Sequence, residues 1–198
     1  MNKLKIHIVG IALIFFIFLI SNLMPNKVEQ QLFYISSFGL LALLSILFTL
    51  LIPLFLNIKR NSLTIYLMAN KRWIGIYTFI FALIHVILVY TFLFNWSFIK
   101  AAENFYRNLG LTAFIILLIM AITSNNFSVR ILGRNWKRIH YFVYLALLFV
   151  LFHAFNIGQI YIKNVIVQII IDLLVVFLII HKFKQYKSLK ALQPSRTK

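Results

Sequence analysis

His85, His140 and His153 lie inside or at the edge of long apolar stretches, with His140 and His153 thirteen residues apart on one of them. An ionisable side chain is expensive in hydrocarbon and tends to survive there only for a job, and imidazole is an axial ligand of haem iron. The three positions point first to b-type haem held within a membrane. A lone membrane histidine that hydrogen-bonds a neighbouring helix is the competing reading, and depth-matched pairs also arise by chance. His7 and His181 sit near the ends of apolar runs, where an interfacial, solvated ring is the expectation.

The rest of the chain must supply membrane helices to carry these rings. Of 198 residues 63% are hydrophobic, mean hydropathy is +0.95, and the only acids are Glu29, Glu103 and Asp172. That is far too apolar for an ordinary soluble domain and implies an integral membrane protein. Spans are expected at about 6–24, 32–57, 73–95, 108–123, 139–155 and 160–181, giving an all-α bundle of six transmembrane helices in a single domain (1–198). The first run is long, lacks a small-x-small cleavage site, and reads as a retained helix rather than a signal peptide. Pro53 is expected to kink or end the second span. No internal repeat or low-complexity segment is evident in the sequence.

Without cysteine, disulfides, thiolate metal sites and cysteine-ligated iron–sulfur clusters are excluded. The formal charge of +17 does not read as a nucleic-acid surface, because the basic residues lie at span ends and in the segment 182–198. With six spans, sixteen of the 20 lysines and arginines fall on one side, leaving Lys27, Lys100, Arg107 and Lys163 on the other. This positive-inside bias predicts both termini in the cytoplasm, with 182–198 as a basic cytoplasmic tail beside anionic headgroups. Trp73, Trp96 and Trp136 fall at span edges, as an interfacial belt requires.

Spans three and five run in the same direction, so depths compare directly. His85 lies roughly 18 Å from the inner edge and His153 roughly 21 Å, close enough in height to share one haem as axial ligands. His140 is about 20 Å nearer the cytoplasm, where a second, inner haem would sit. On an ideal helix, however, His140 and His153 point about 140° apart, so no single narrow face carries both.

The stretch Thr123-Ser124, Arg130 and Leu132-Gly133-Arg134-Asn135-Trp136-Lys137-Arg138-Ile139-His140-Tyr141-Phe142-Val143-Tyr144-Leu145, followed by His153, carries a family resemblance. So does Lys71-Arg72-Trp73-Ile74-Gly75 leading to His85. These segments resemble the haem-binding membrane subunits of periplasmic methionine sulfoxide reductase systems (the MsrQ or YedZ family), within the wider ferric reductase-like transmembrane superfamily. The resemblance implies electron transfer through haem b, one or two per chain, from a cytoplasmic flavin reductase or a quinol to an extracytoplasmic acceptor. In that family the acceptor is typically a molybdopterin-containing, MsrP-like subunit. Carried over by position, His85 and His153 are the outer ligand pair and His140 an inner ligand. Fuller superfamily members place a further histidine where this chain has Lys71 and Arg72, so the resemblance leaves the inner haem's second ligand unassigned.

Arg72, Arg130, Arg134 and Arg138 border the inner site, where guanidinium groups suit haem propionates, a flavin (FMN) phosphate or an acidic patch on a donor. Positive-inside flanking accounts for these residues equally well. Asp172, mid-span in the sixth helix with Gln168 one turn earlier, is a candidate for a proton relay or quinone site if buried, or else a hydrogen-bonded helix tie. Six scattered glycines supply no G-x-G-x-x-G fingerprint, and no soluble nicotinamide domain is expected after the sixth span, so the electron donor is expected to be a separate molecule. Two other functions compete. One is a stand-alone ferric, cupric or quinone reductase, with the segment 95–108 as the docking loop for any outer acceptor; the other is a haem-free transporter or scaffold, disfavoured because only Pro53 interrupts a span.

Overall fold

The fold comes from a computed structural model that describes residues 3–191. The chain begins with α1 (Leu4–Ser21), a long α2 (Lys27–Ile58) and α3 (Ser62–Val89), the last extended by a wider π turn over Tyr90–Phe94. A short α4 (Phe98–Ala102) leads into α5 (Phe105–Ile122), then α6 (Asn126–Leu132), α7 (Arg134–Tyr141), α8 (Val143–Ile157) and α9 (Val165–Ala191). Among the described residues, six helical runs are long and apolar enough to cross a membrane, with α7 and α8 counting as one. No strand occurs among the described residues.

Asparagines start four of these helices. Asn26, Asn61, Asn104 and Asn125 each accept hydrogen bonds from backbone N–H groups of the first turn, satisfying donors that a helix leaves orphaned. At Asn61 the cap is reciprocal, because the Thr64 hydroxyl also accepts from the Asn61 N–H at 3.0 Å. That box is why α3 begins at Ser62, and the loop expected over 58–72 shrinks to Lys59–Asn61. Lys71 and Arg72 consequently lie within α3 rather than before it, and Trp73 lies well inside the helix rather than at its edge.

Other boundaries also shift. The expected loop 124–138 contains α6 and most of α7, joined at Gly133, whose φ of +50° suits a residue without Cβ. The fifth span bends at Phe142, whose N–H bonds Ile139 O three residues back instead of four. An ideal wheel therefore does not relate His140 to His153. The sixth span starts at Val165 instead of 160, and its helix runs on through 182–191, a segment in which four Lys with Gln, Leu and Ala, all good helix formers, outnumber Phe, Tyr and Ser. The remainder of the expected tail, 192–198, lies outside the described residues. Pro53 does not end α2; the helix continues to Ile58, its last buried residue being Leu54.

α2 is the hub. Half of its apolar window is buried, against 11% for α1, α5 and α9, so the other spans pack around it. Phe38, Leu43, Ile46, Leu47 and Ile52 of α2 are almost wholly enclosed, with Phe81, Ala113, Leu117, Ala146 and Leu147 closing the core from α3, α5 and α8. The most extensive pairings are α2 with α3 and α5 with α8. The outward faces of α1 and α9 present Ile, Leu, Val and Phe to lipid. Asp172 is on this exposed face of α9, which corrects the expectation of a buried carboxylate.

Candidate functional site

α3 carries His85 and α8 carries His153, and the bundle brings the two rings together with centroids 6.3 Å apart and planes crossing at 85°. Two imidazoles on opposite sides of one metal, each with a metal–nitrogen bond of roughly 2 Å, place their centroids about 6 Å apart. The observed 6.3 Å matches that length.

Each ring is held by a backbone carbonyl. His85 Nδ1 lies 2.8 Å from Ile35 O on α2, and His153 Nδ1 lies 2.9 Å from Tyr106 O on α5. A carbonyl only accepts, so Nδ1 carries the proton in both rings and donates it. In the neutral imidazole this leaves Nε2 with its lone pair, and neither Nε2 has a hydrogen-bond partner among the described residues. Metal-binding histidines are usually oriented in this manner, with the far ring nitrogen fixed by a carbonyl or carboxylate.

Two glycines face the rings. A Cβ at Gly39 would lie 3.0 Å from His85 Nδ1, and one at Gly110 would lie 2.5 Å from His153 Nδ1. The neighbouring Ser36 hydroxyl is the one buried side-chain polar atom without a partner among the described residues, and it shares the Gly39 side of α2 at i, i+3. The described residues contain no group of three or more His, Cys, Asp or Glu side chains arranged for a metal. A metal between His85 and His153 would thus have two protein ligands, and its other donors would have to come with it. The residues present suit a metal delivered in a macrocycle.

His140 is elsewhere, at the basic end. Its ring packs against Trp136 with centroids 4.1 Å apart and planes tilted by 32°, and its Nε2 lies 3.4 Å from the Thr123 hydroxyl at the end of α5. Trp136 Nε1 also donates to Thr123 O at 2.9 Å, docking α7 onto α5. No second imidazole is in ring contact with His140 among the described residues. Arg72 donates to Asn126 Oδ1 at 2.8 Å and ties α3 to α6, while Arg134 stands exposed at the start of α7. Neither arginine belongs to the His85–His153 pair, since Arg72 lies about 20 Å from His85 along α3.

Some contacts escaped sequence reasoning. Gly39, Gly110 and the carbonyls of Ile35 and Tyr106 carry no pattern that marks them until a facing ring is known. His7, expected to be solvated, is instead packed between α1 and α3, with Nδ1 3.2 Å from the Tyr77 hydroxyl and its ring edge-on to Trp73.

The chain is 32% identical over 113 residues to the protein-methionine-sulfoxide reductase heme-binding subunit MsrQ of Cronobacter sakazakii, covering 54% of this chain and 55% of that one. It is 33% identical over 88 residues to the magnetosome protein MamZ of Magnetospirillum gryphiswaldense, covering 42% of this chain and 14% of that protein. The matched part thus spans about half of the first relative and a small part of the second. No solved structure matches the chain. The model of the ferric reductase like transmembrane component family matches residues 35–151, a segment that begins at the carbonyl holding His85 and stops two residues short of His153. That match takes in more than half of the sequence, and this multi-pass membrane protein belongs to the ferric reductase-like transmembrane component family.

Proposed function

We propose that the chain is a b-type haem subunit that conducts electrons across a bacterial inner membrane, with His85 and His153 as the axial ligands of one haem. The observation that carries this reading is the imidazole pair, 6.3 Å apart with each Nδ1–H committed to a carbonyl. Haem bound there supplies a one-electron iron couple in the interior of the bundle. The chain's own residues orient the two Nε2 lone pairs, through the Ile35 and Tyr106 carbonyls that hold each Nδ1–H. Positive-inside bias supports cytoplasmic termini, which puts the pair in the outer half of the membrane.

Electrons then enter from the basic end. Arg72, Arg134 and their neighbours suit an anionic donor, either a reduced flavin carried by a soluble reductase or a quinol reaching the site from the bilayer. His140, packed against Trp136 and without an opposing imidazole among the described residues, favours a single haem, with the His140 region as the entry side. The MsrQ relative supports a molybdopterin methionine sulfoxide reductase subunit as the outer acceptor. The family's ferric reductase character supports a second reading, in which the acceptor is a ferric chelate.

A reduced-minus-oxidised spectrum of the detergent-purified protein, expressed with ample haem supply, tests the ligand assignment. The wild type is expected to show a b-type signal, and the His85→Ala, His153→Ala double variant to lose it. Full retention in the double variant would remove both residues from the site. Re-oxidation by an added molybdoenzyme or ferric chelate then separates the two acceptors.

A further inference from the structure

We infer that Gly39 and Gly110 are the positioning residues of the imidazole pair, each opening a notch in its helix through which a ring reaches the carbonyl one turn earlier. In an α-helix the carbonyl of one residue is bonded by the N–H four residues later, and the side chain of that later residue tilts back over the same turn. Ile35 and Gly39 stand in this relation on α2, and so do Tyr106 and Gly110 on α5. With glycine at the later position nothing covers the carbonyl, and its second lone pair is open to a facing N–H. His85 and His153 use that opening at 2.8 and 2.9 Å.

The two notches are built alike. Each histidine lies on the helix paired with its notch, 50 residues beyond the carbonyl in one case and 47 in the other. Each glycine also opens the same short pattern, Gly39-Leu40-Leu41-Ala42 and Gly110-Leu111-Thr112-Ala113, whose alanines are buried in the core. Ile35, Gly39 and His85 on one helix pair and Tyr106, Gly110 and His153 on the other thus form the same local arrangement, meeting at the rings. Gly10 and Gly158 also have close neighbours, but theirs are Tyr77, Ala154 and Ile162, so a histidine ring is what sets Gly39 and Gly110 apart; nothing lies within 4 Å of a Cβ placed at Gly75, which makes it the control.

The consequence at iron rests on the haem reading, whereas the notch does not. The test accordingly uses two readouts on Gly39→Ala, Gly110→Ala and the control Gly75→Ala. In ligand-free protein, nitrogen-15 shifts of the imidazoles report which ring nitrogen is protonated. Wild type and Gly75→Ala are expected to show both rings protonated at Nδ1, and Gly110→Ala to lose that state at His153. Gly39→Ala is expected to show a smaller change at His85, because its contact is 3.0 Å against 2.5 Å. In haem-loaded protein, carbon monoxide should bind ferrous Gly110→Ala and leave the wild type untouched.

Should Gly110→Ala fold poorly, combining it with His153→Ala is expected to restore thermal stability, since the ring is what the new methyl group meets. A double variant as unstable as the single one would refute the inference. So would Nδ1 tautomers and carbon monoxide inertness that persist in both alanine variants. A wild type that takes up no haem, with the tautomer change still seen in Gly110→Ala, would overturn the haem assignment and leave the notches standing.

Discussion

The ring planes of His85 and His153 cross at 85°. Each plane is set by its own carbonyl, Ile35 O from α2 and Tyr106 O from α5, so the angle follows from how the two helix pairs face each other. Axial imidazoles at right angles leave the iron orbitals nearly degenerate, whereas parallel rings split them. The oxidised, haem-loaded protein is therefore expected to give a strongly anisotropic low-spin electron paramagnetic resonance signal. A rhombic signal typical of parallel rings would contradict this orientation.

Arg72 joins structure to steering. Its guanidinium donates to Asn126 Oδ1 at 2.8 Å on the exposed surface, a bond that contributes at most about 1 kcal/mol. Arg72→Ala should lower thermal stability only slightly. It should slow haem reduction by an anionic donor such as reduced FMN several-fold at low ionic strength, as should Arg134→Ala. Both differences should shrink at about 0.5 M salt, where screening extends over only a few ångströms. Stopped-flow reduction across a salt series checks this, and a salt-independent defect would speak against steering.

The six spans and the shared height of His85 and His153 were legible from hydropathy and from 1.5 Å of rise per residue. Helix length at the ends was not. Asn61 and Thr64 extend α3 well below Trp73 through a capping box that hydropathy does not register, and 182–191 stays helical on propensity although it is charged. Phe142 breaks the fifth span through a hydrogen bond that no residue type announces. The His85 and His153 pairing could be reached from depth alone, but the carbonyls and glycines that orient the rings depend on helix rotation, which long, uniformly apolar spans leave nearly undetermined. His140 was found as a residue without its surroundings, since the Thr123 and Trp136 contacts arise from the α6–α7 turn.

α1 is fastened to α3 by a small set of contacts. A Cβ at Gly10 would overlap the Tyr77 ring, and the Tyr77 hydroxyl bonds His7 Nδ1 at 3.2 Å. Small residues let membrane helices approach this closely. Gly10→Ala is expected to cost about 1–3 kcal/mol through overpacking, and Tyr77→Phe about 0.5–1.5 kcal/mol through the lost hydrogen bond. Thermal unfolding in detergent measures both. Haem content of the folded fraction should be unchanged, because neither residue touches the imidazole pair; a proportional loss of haem would show that α1 helps to build the site.

Asp172 separates transfer chemistry from membrane anchoring. It lies seven residues into α9 on the face exposed outside the bundle, with no hydrogen bond or ion pair among the described residues. A carboxyl group so placed is costly in hydrocarbon, about 2.5–3.5 kcal/mol on insertion scales at a helix centre. It also has no contact with the histidines through which it could pass a proton. Asp172→Asn should therefore leave the reduction and re-oxidation rates of the haem within about twofold, while Asp172→Leu should increase membrane insertion of α9, with RT ln 10 of about 1.4 kcal/mol setting the scale of a tenfold gain. Glycosylation-reporter insertion and single-turnover haem kinetics read the two effects separately. A large drop in re-oxidation rate for Asp172→Asn, with insertion unchanged, would place the acid on the transfer route after all.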